Sequence, residues 1–277
     1  MTEGWEPPAL LLCERKVTLN SFFASATPTF LDNIKTWYAE FCADFKLNFI
    51  DDDRWTWLLE GLINTLIITA GALVIGIVIG ILVAAVRSSY DKNHDELKMR
   101  GGAAYVILSI LNFICKVFLT VIRGVPMVVQ LLLWYFVILV SFKDGVPVAI
   151  IAFGVNSGAY VAEIFRSGIM SIDNGQFEAG RSLGFNYFQM MYHVVIPQAF
   201  KVVLPTLCNE FIVLIKETSI AGYVGLVDLT KAGDLIRGRT FSAFMPLIAV
   251  AIVYLVLVML LTWLVGKLER RLRKSER

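Results

Sequence analysis

The sequence predicts an all-α integral membrane protein with about five transmembrane helices per protomer, interfacial helices, and one short helix held between spans. Three observations predict it. Two long runs carry no charge, the basic residues gather in alternate loops, and a polar, glycine-punctuated stretch at Phe177–Pro197 interrupts the apolar chain. Of the 277 residues, 57% are hydrophobic and 17% charged, with a mean hydropathy of +0.69. A soluble domain of this length carries about 25% charge.

Residues 1–60 read as an extracytoplasmic or interfacial extension, and 61–277 as the membrane domain. The opening Met1-Thr2-Glu3-Gly4-Trp5-Glu6 is acidic and lacks the basic start and small-residue cleavage site of a signal peptide, so none is expected. "ALLLC", ending at Cys13, lacks the flanking residues of a lipidation site. Leu31, Ile34, Trp37, Phe41, Phe45 and Phe49 recur at helical spacing with Asp32, Lys35, Glu40 and Asp44 between them. That pattern is an amphipathic helix with aromatic residues suited to a membrane interface. It either packs on the bundle, lies on lipid, or offers a docking surface. The four cysteines have no CxxC spacing, and His94 and His193 are the only histidines. No metal site is expected. A Cys13–Cys42 disulfide requires that this region face an oxidising compartment.

A bilayer core near 30 Å takes about 20 helical residues. Leu62–Val86 and Ala243–Val265 meet that length without a charge. Thr120–Phe142, Val146–Phe165 and Ala199–Tyr223 are further spans, interrupted by polar groups. Gly101–Phe142 admits three readings. One helix over about 40 residues would be roughly 60 Å long; two antiparallel spans would leave only "RGVP" (Arg123–Pro126) as their loop. The third, an interfacial helix over Ala103–Leu119 followed by a span from Thr120 with Pro126 kinking or starting it, is the one taken. Positive residues concentrate on the cytoplasmic side. Five spans place Arg87–Arg100, the central loop and the basic tail together there, with the acidic N-terminal region outside.

Asp173-Asn174-Gly175 is a turn and helix start. Gln176–Leu183 follows as a short helix with Glu178 in its first turn, and Gly184 is placed to end it in the left-handed conformation. Asn186 caps a second helix, with Gln189 completing something close to a capping box, and that helix stops at Pro197. An ordinary amphipathic loop helix would account for the glycine corner. It would not account for the spacing that follows.

Permease subunits of ABC importers carry a cytoplasmic loop of pattern EAA, three residues, Gly, nine residues, then Ile-x-Leu-Pro. Glu178-Ala179-Gly180, Gly184 and Val194-Val195-Ile196-Pro197 resemble it, with Gly180 in place of the second alanine, which would make the helix less rigid. The resemblance extends from about Asn64 to Arg273. "NTLIITAGALVIGIVIGILVAAVRSS", "VIRGVPMVVQLLLWYFV", "NSGAYVAEIFRSGI" and "PQAFKVVLPTLCNEFIVLIKETSIAG" are similar, in order, to segments of polar amino-acid importer permeases of the histidine, glutamine and arginine type. Val125 stands where the family's "RGTP" has threonine.

The resemblance implies the type I ABC importer fold, with Gln176–Gly184 as a cytoplasmic coupling helix inside the loop 173–197. It implies a dimer, with itself or a paralogue, in a bacterial cytoplasmic membrane, N-terminus outside and C-terminus inside. It also implies two ATPase subunits, an extracytoplasmic substrate-binding protein, and Glu178, Ala179, Gly180, Gly184 and Pro197 as coupling residues. No GxxxxGK[ST] loop occurs in the sequence, so ATP and Mg are expected on the separate ATPase and this chain should bind no cofactor. Amino acid and membrane lipid are the expected small partners; nucleic acid is not.

Ionisable groups inside a span are costly and are candidate functional sites. Those considered are Arg123, Glu163, Arg166, Lys216 and Glu217. Asn156, Tyr160 and Glu163, at i, i+4 and i+7, share one helix face. With Gln130 and Lys216 opposite, they are the candidate substrate path, where an amino acid would find partners for its ammonium and carboxylate. The competing reading is a structural polar network, with Glu163–Arg166 a local pair and Arg166 merely snorkelling. Lys216 and Glu217 point about 100° apart and should not both face one small ligand. Gly76-x-x-x-Gly80 marks close helix packing, within or between protomers. An ion-gradient-driven transporter is the alternative function, disfavoured by the lack of inverted repeats. A membrane enzyme would need a nucleophile or metal motif that the sequence lacks.

Overall fold

The computed structural model describes residues 30–274. Cys13 and the opening segment therefore lie outside the described residues, and with them the lipidation and disulfide expectations. The chain forms two compact units, Met1–Lys46 and Leu47–Arg277. Within the first, α1 (Phe30–Phe45) presents Ile34, Trp37, Phe41 and Phe45 to the surface, with Trp37 and Phe41 stacked at 5.6 Å. Phe49 does not continue this stripe. The winding widens over Lys46–Ile50 and breaks the 3.6-residue period, so Phe49 turns into the second unit and is buried there.

The second unit is built of helices joined by short loops, and five helices among the described residues are long and apolar enough to cross a membrane. They belong to α2 (Trp55–Arg100), α3 (Ala103–Gly124), α5 (Gly145–Met170), α8 (Ile196–Glu217) and α10 (Phe244–Lys274). Short elements join them: α4 (Met127–Leu133), α6 (Asn174–Ser182), α7 (Tyr187–Met190) and α9 (Leu229–Thr240). The expected number of spans holds, but one boundary changes. Ala103–Gly124 is itself long and apolar enough to span, whereas Met127–Ile138 is short. Neither the interfacial helix Ala103–Leu119 nor a continuous span from Thr120 to Phe142 is present.

The two pieces instead form one broken helix alongside α5. Leu119 packs with Ala159 and Ala162, Gln130 meets Asn156, and Leu131 clusters with Ala149 and Phe153. The Tyr135 ring lies against Gly145. These pairs run antiparallel in steady register, so α3 and α4 follow one another past α5, and the break at Val125-Pro126 falls beside its middle. Pro126 has no N–H to continue α3, and extended Val125 precedes it (φ −97°, ψ 132°). The carbonyls left open at the break are met by the Gln130 amide, 2.7 Å from Ile122 O and 2.8 Å from Val125 O.

The α2–α5 contact is the centre of the bundle, and small residues make it. A β-carbon on Gly80 would sit 2.4 Å from Val161 Cγ1 and 3.0 Å from the Ala162 backbone nitrogen, and one on Gly76 would sit 3.1 Å from Ser157. From the other side, Gly154 and Gly158 admit Ile75 and Ile79. The GxxxG pattern thus closes an interface inside the protomer, where backbone proximity replaces the absent hydrophobic drive between helices in lipid. Gly80→Leu should separate α2 from α5, since overpacking costs about 1–3 kcal/mol even where neighbours adjust. The expected result is a lowered melting temperature and reduced yield in detergent, with Gly266→Leu, facing open space, as the unaffected comparison.

The α9 segment is pinned to the start of α2. Asn64 Nδ2 donates to Val227 O at 2.9 Å, Leu229 N donates to Thr65 Oγ1 at 3.1 Å, and the Asp228 carboxylate caps α9 by accepting from Thr230 N at 2.9 Å and Lys231 N at 3.3 Å. Burial raises the Asp228 pKa, and the capping N–H groups of Thr230 and Lys231 oppose the rise. Asp228→Ala should lower stability by about 1 kcal/mol, whereas Asp228→Asn keeps a capping oxygen and costs little. The folded state holds this proton more tightly than the unfolded chain does. Wild type should therefore gain melting temperature relative to Asp228→Asn as pH falls from neutrality, with the gain complete below the ordinary carboxylate range.

Candidate functional site

Two places carry functional side chains: the loop 173–197 and the level of the helix break. In the loop, Asp173 caps α6 by accepting from Gly175 N at 2.6 Å. The helix therefore starts at Asn174, two residues earlier than expected, and Glu178 lies just past its first turn. Its far end is a left-handed glycine cap. Gly184 has φ +81°, Phe185 N donates to Gly180 O at 3.0 Å and Gly184 N to Arg181 O at 2.9 Å, the paired bonds of a Schellman ending. The capping box is present in both directions, Gln189 N to Asn186 Oδ1 at 2.9 Å and Asn186 N to Gln189 Oε1 at 3.0 Å.

The faces of α6 divide cleanly. Phe177 and Gly180 turn inward, where Phe177 joins Ile172, Phe185 and Met190 in a cluster on Ile169, Val195 and Ala199. Gln176, Glu178 and Ala179 face outward. Gly180 makes room for packing rather than loosening the helix, for the Met190 thioether occupies the space a β-carbon would take. Leu183, Phe188 and Tyr192, at the end of α6 and in the helical run after the glycine corner, are exposed at 77%, 81% and 72%. Large apolar side chains this exposed, rimmed by charge, mark an interaction surface.

Pro197 does not stop the second helix. Winding widens over Met191–Val195 and α8 begins directly at Ile196 with proline in its first turn, where a missing N–H costs least. One helical run therefore carries the loop into the span.

At the break, Asn156 is buried and its Oδ1 lies 3.4 Å from Gln130 Nε2. Gln130 Oε1 is buried without a partner. On the next turns of α5, Tyr160 lies 5.5 Å from the Arg123 guanidinium, and Glu163 accepts from Arg166 at 3.2 Å and faces Arg123 at 3.9 Å. Arg166 does not merely snorkel; it also donates to Asp91 of α2 at 3.0 Å. Glu163 and Arg123 border an open recess of about 430 Å³ with Arg87, Lys116 and Thr120. Four of the five path residues, Asn156, Tyr160, Glu163 and Gln130, thus come together along α5.

Lys216 does not join them. It borders a separate recess of about 540 Å³ with Glu217, Ser219, Pro126 at the break and Met127 at the start of α4. Lys216 and Glu217 both border this recess despite their divergent directions. The residue missed by sequence reasoning is Glu210, which accepts from Ser157 Oγ at 3.1 Å. Its position seven residues before Glu217, on the same helix face, was the available signal.

A bundle of five helices long and apolar enough to span, one of them broken beside polar groups, with an exposed capped helix between spans, has the architecture of a membrane transport subunit. Residues 101–274 match the family described as binding-protein-dependent transport system inner membrane component, and the chain belongs to that family. The glutamine transport system permease protein GlnP of Escherichia coli (strain K12) is 36% identical over 220 residues, covering 78% of this chain and 93% of GlnP. The arginine transport system permease protein ArtQ of Bacillus subtilis (strain 168) is 36% identical over 222 residues, covering 79% and 94%. The crystal structure of an amino acid ABC transporter with histidines shares 36% identity and superposes with a TM-score of 0.69 over 80% of this chain and 98% of that one. The inward-facing methionine transporter MetNI, at 21% identity and a TM-score of 0.66, shares the fold.

Proposed function

We propose that this chain is the permease of an ATP-driven importer for an amino acid, working as a dimer with itself or a paralogue. Two ATPase subunits and an extracytoplasmic binding protein complete the assembly. In this reading α6 sits in a groove of the ATPase, Glu178 and Ala179 face that partner, and Gly180, Gly184 and Pro197 shape the loop that holds them. ATP and Mg belong to the partner. The loop and the basic tail lie in the cytoplasm and the N-terminal region lies outside, as the alternation of basic residues supports. The membrane is then a bacterial cytoplasmic membrane.

The substrate reading rests on the two recesses beside the break. A helix broken at membrane depth is tolerated where it lines a cavity rather than lipid, and here the buried Gln130 Oε1 beside the break is left without a partner. Lys216 and Glu217 offer opposite charges for the carboxylate and ammonium of a zwitterion, and Glu163, Tyr160 and Asn156 line the adjoining wall. Glutamine and arginine, carried by the relatives, define the substrate class tested first. No observation favours the gradient-driven alternative.

The observation that carries the proposal is the outward face of α6, capped at both ends, with exposed Leu183 at its end and exposed Phe188 just past the glycine corner. The test is to purify the tagged chain from native membranes in mild detergent. Co-elution of a P-loop ATPase is the expected result, and elution of a transport-competent chain with no other polypeptide would overturn it.

A further inference from the structure

The α2 helix runs past the span, and its last turns touch both functional places. Lys92 Nζ donates to Asn174 Oδ1 at 2.8 Å, at the first residue of α6, and lies 4.3 Å from the centre of the Phe177 ring. One turn earlier, the Ser89 hydroxyl meets the Tyr187 hydroxyl at 3.2 Å, at the start of α7. The neighbouring Asp91 faces elsewhere, accepting from Arg166 NH1 at 3.0 Å. Arg166 in turn holds Glu163, and Glu163 faces Arg123, the residue before the glycine that ends α3.

Successive residues of a helix diverge by about 100°, so one rigid turn of α2 grips the docking helix with one side chain and the wall of the recess with the next. The buried cluster under α6 ties that helix to α5, α7 and α8 through Ile169, Met190 and Ala199. The polar ties bring in α2, the helix that packs along the length of α5.

We propose that Lys92 is a positioning residue for ATP-coupled transport. It makes the end of α2 move with α6, and Asp91 passes that movement through Arg166 and Glu163 to Arg123 at the helix break. Exposed pairs of this kind are individually weak, which suits a tie that must re-form in every cycle and lets its loss alter coupling without unfolding the protein. The proposal rests on the importer reading above.

The test reconstitutes the permease with its ATPase and binding protein in liposomes. Each of the twenty radiolabelled standard amino acids is offered, and the one taken up fastest by wild type is used to measure uptake per ATP hydrolysed. Lys92→Ala should lower that ratio by about threefold or more, the scale on which residues between coupled sites alter coupling. Lys92→Arg, which keeps the cation, should restore it, and Asp91→Asn should lower it in the same way. Permease content per liposome, measured alongside, separates this from a loss of folded protein. An unchanged ratio in Lys92→Ala, with wild type transporting, would overturn the role of Lys92 alone. Wild type that hydrolyses ATP but takes up no amino acid would overturn the importer reading, and this proposal with it.

Discussion

Glu178→Lys is expected to abolish recovery of the ATPase with the permease and, with it, ATP-driven uptake. Glu178 is exposed on the outward face of α6, away from the cluster that holds the helix in place. The substitution changes the charge presented to a partner by two units without removing a packing contact or a cap. Like charges brought together across an interface cost several kcal/mol, so affinity should fall about a hundredfold or more. Glu178→Gln removes the charge without reversing it and should weaken docking less. The permease itself should keep its melting temperature in both variants. If the ATPase co-purifies normally with Glu178→Lys, α6 is not where it docks.

Glu163→Gln is expected to lower uptake at least tenfold while leaving assembly intact. Glu163 is the anion held between Arg166 and Arg123 at the border of the larger set of cations, Arg87 and Lys116 among them. Neutralising it leaves the Arg123 guanidinium without its carboxylate and Arg166 with Asp91 alone. Pairs exposed to this extent contribute only about 0–1 kcal/mol to stability, so the variant should fold and assemble normally, and a tenfold loss of uptake would report a lost contact with the substrate. Lys216→Gln separates the two recesses. If both walls contact the substrate, each substitution should raise the KM for uptake; if Glu163 serves only the polar network, its variant should lower kcat with KM unchanged. Normal uptake by Glu163→Gln would remove Asn156, Tyr160 and Glu163 from the path.

The loop 173–197 was the most legible part of the sequence because its structure is set by local chemistry. An Asx cap, a glycine needing positive φ and an Asn–Gln box each act over a few residues, and all three formed where those residues stand. The number of spans was legible for a similar reason, since length and hydropathy measure what lipid requires. The break was harder to place. Apolar content on both sides of Pro126 could not say whether Ala103–Leu119 lay on the membrane or within it; only its packing along α5 decides that. Pro197 misled because a terminator rule was applied where widened winding let the helix pass. Glu210 was overlooked beside the more conspicuous Lys216-Glu217 pair, and the Lys92–Asn174 contact joins residues too distant in sequence for any periodicity to show.

The most direct test of the central claim is uptake by membrane vesicles containing the complete assembly, with ATP available to the ATPase and both proton and sodium gradients collapsed by ionophores. Uptake of an amino acid that persists while ATP lasts, and stops when ATP is withheld, is the predicted result. Uptake that stops when the gradients collapse, with ATP still present, would contradict the assignment and leave the α6 surface to some other partner.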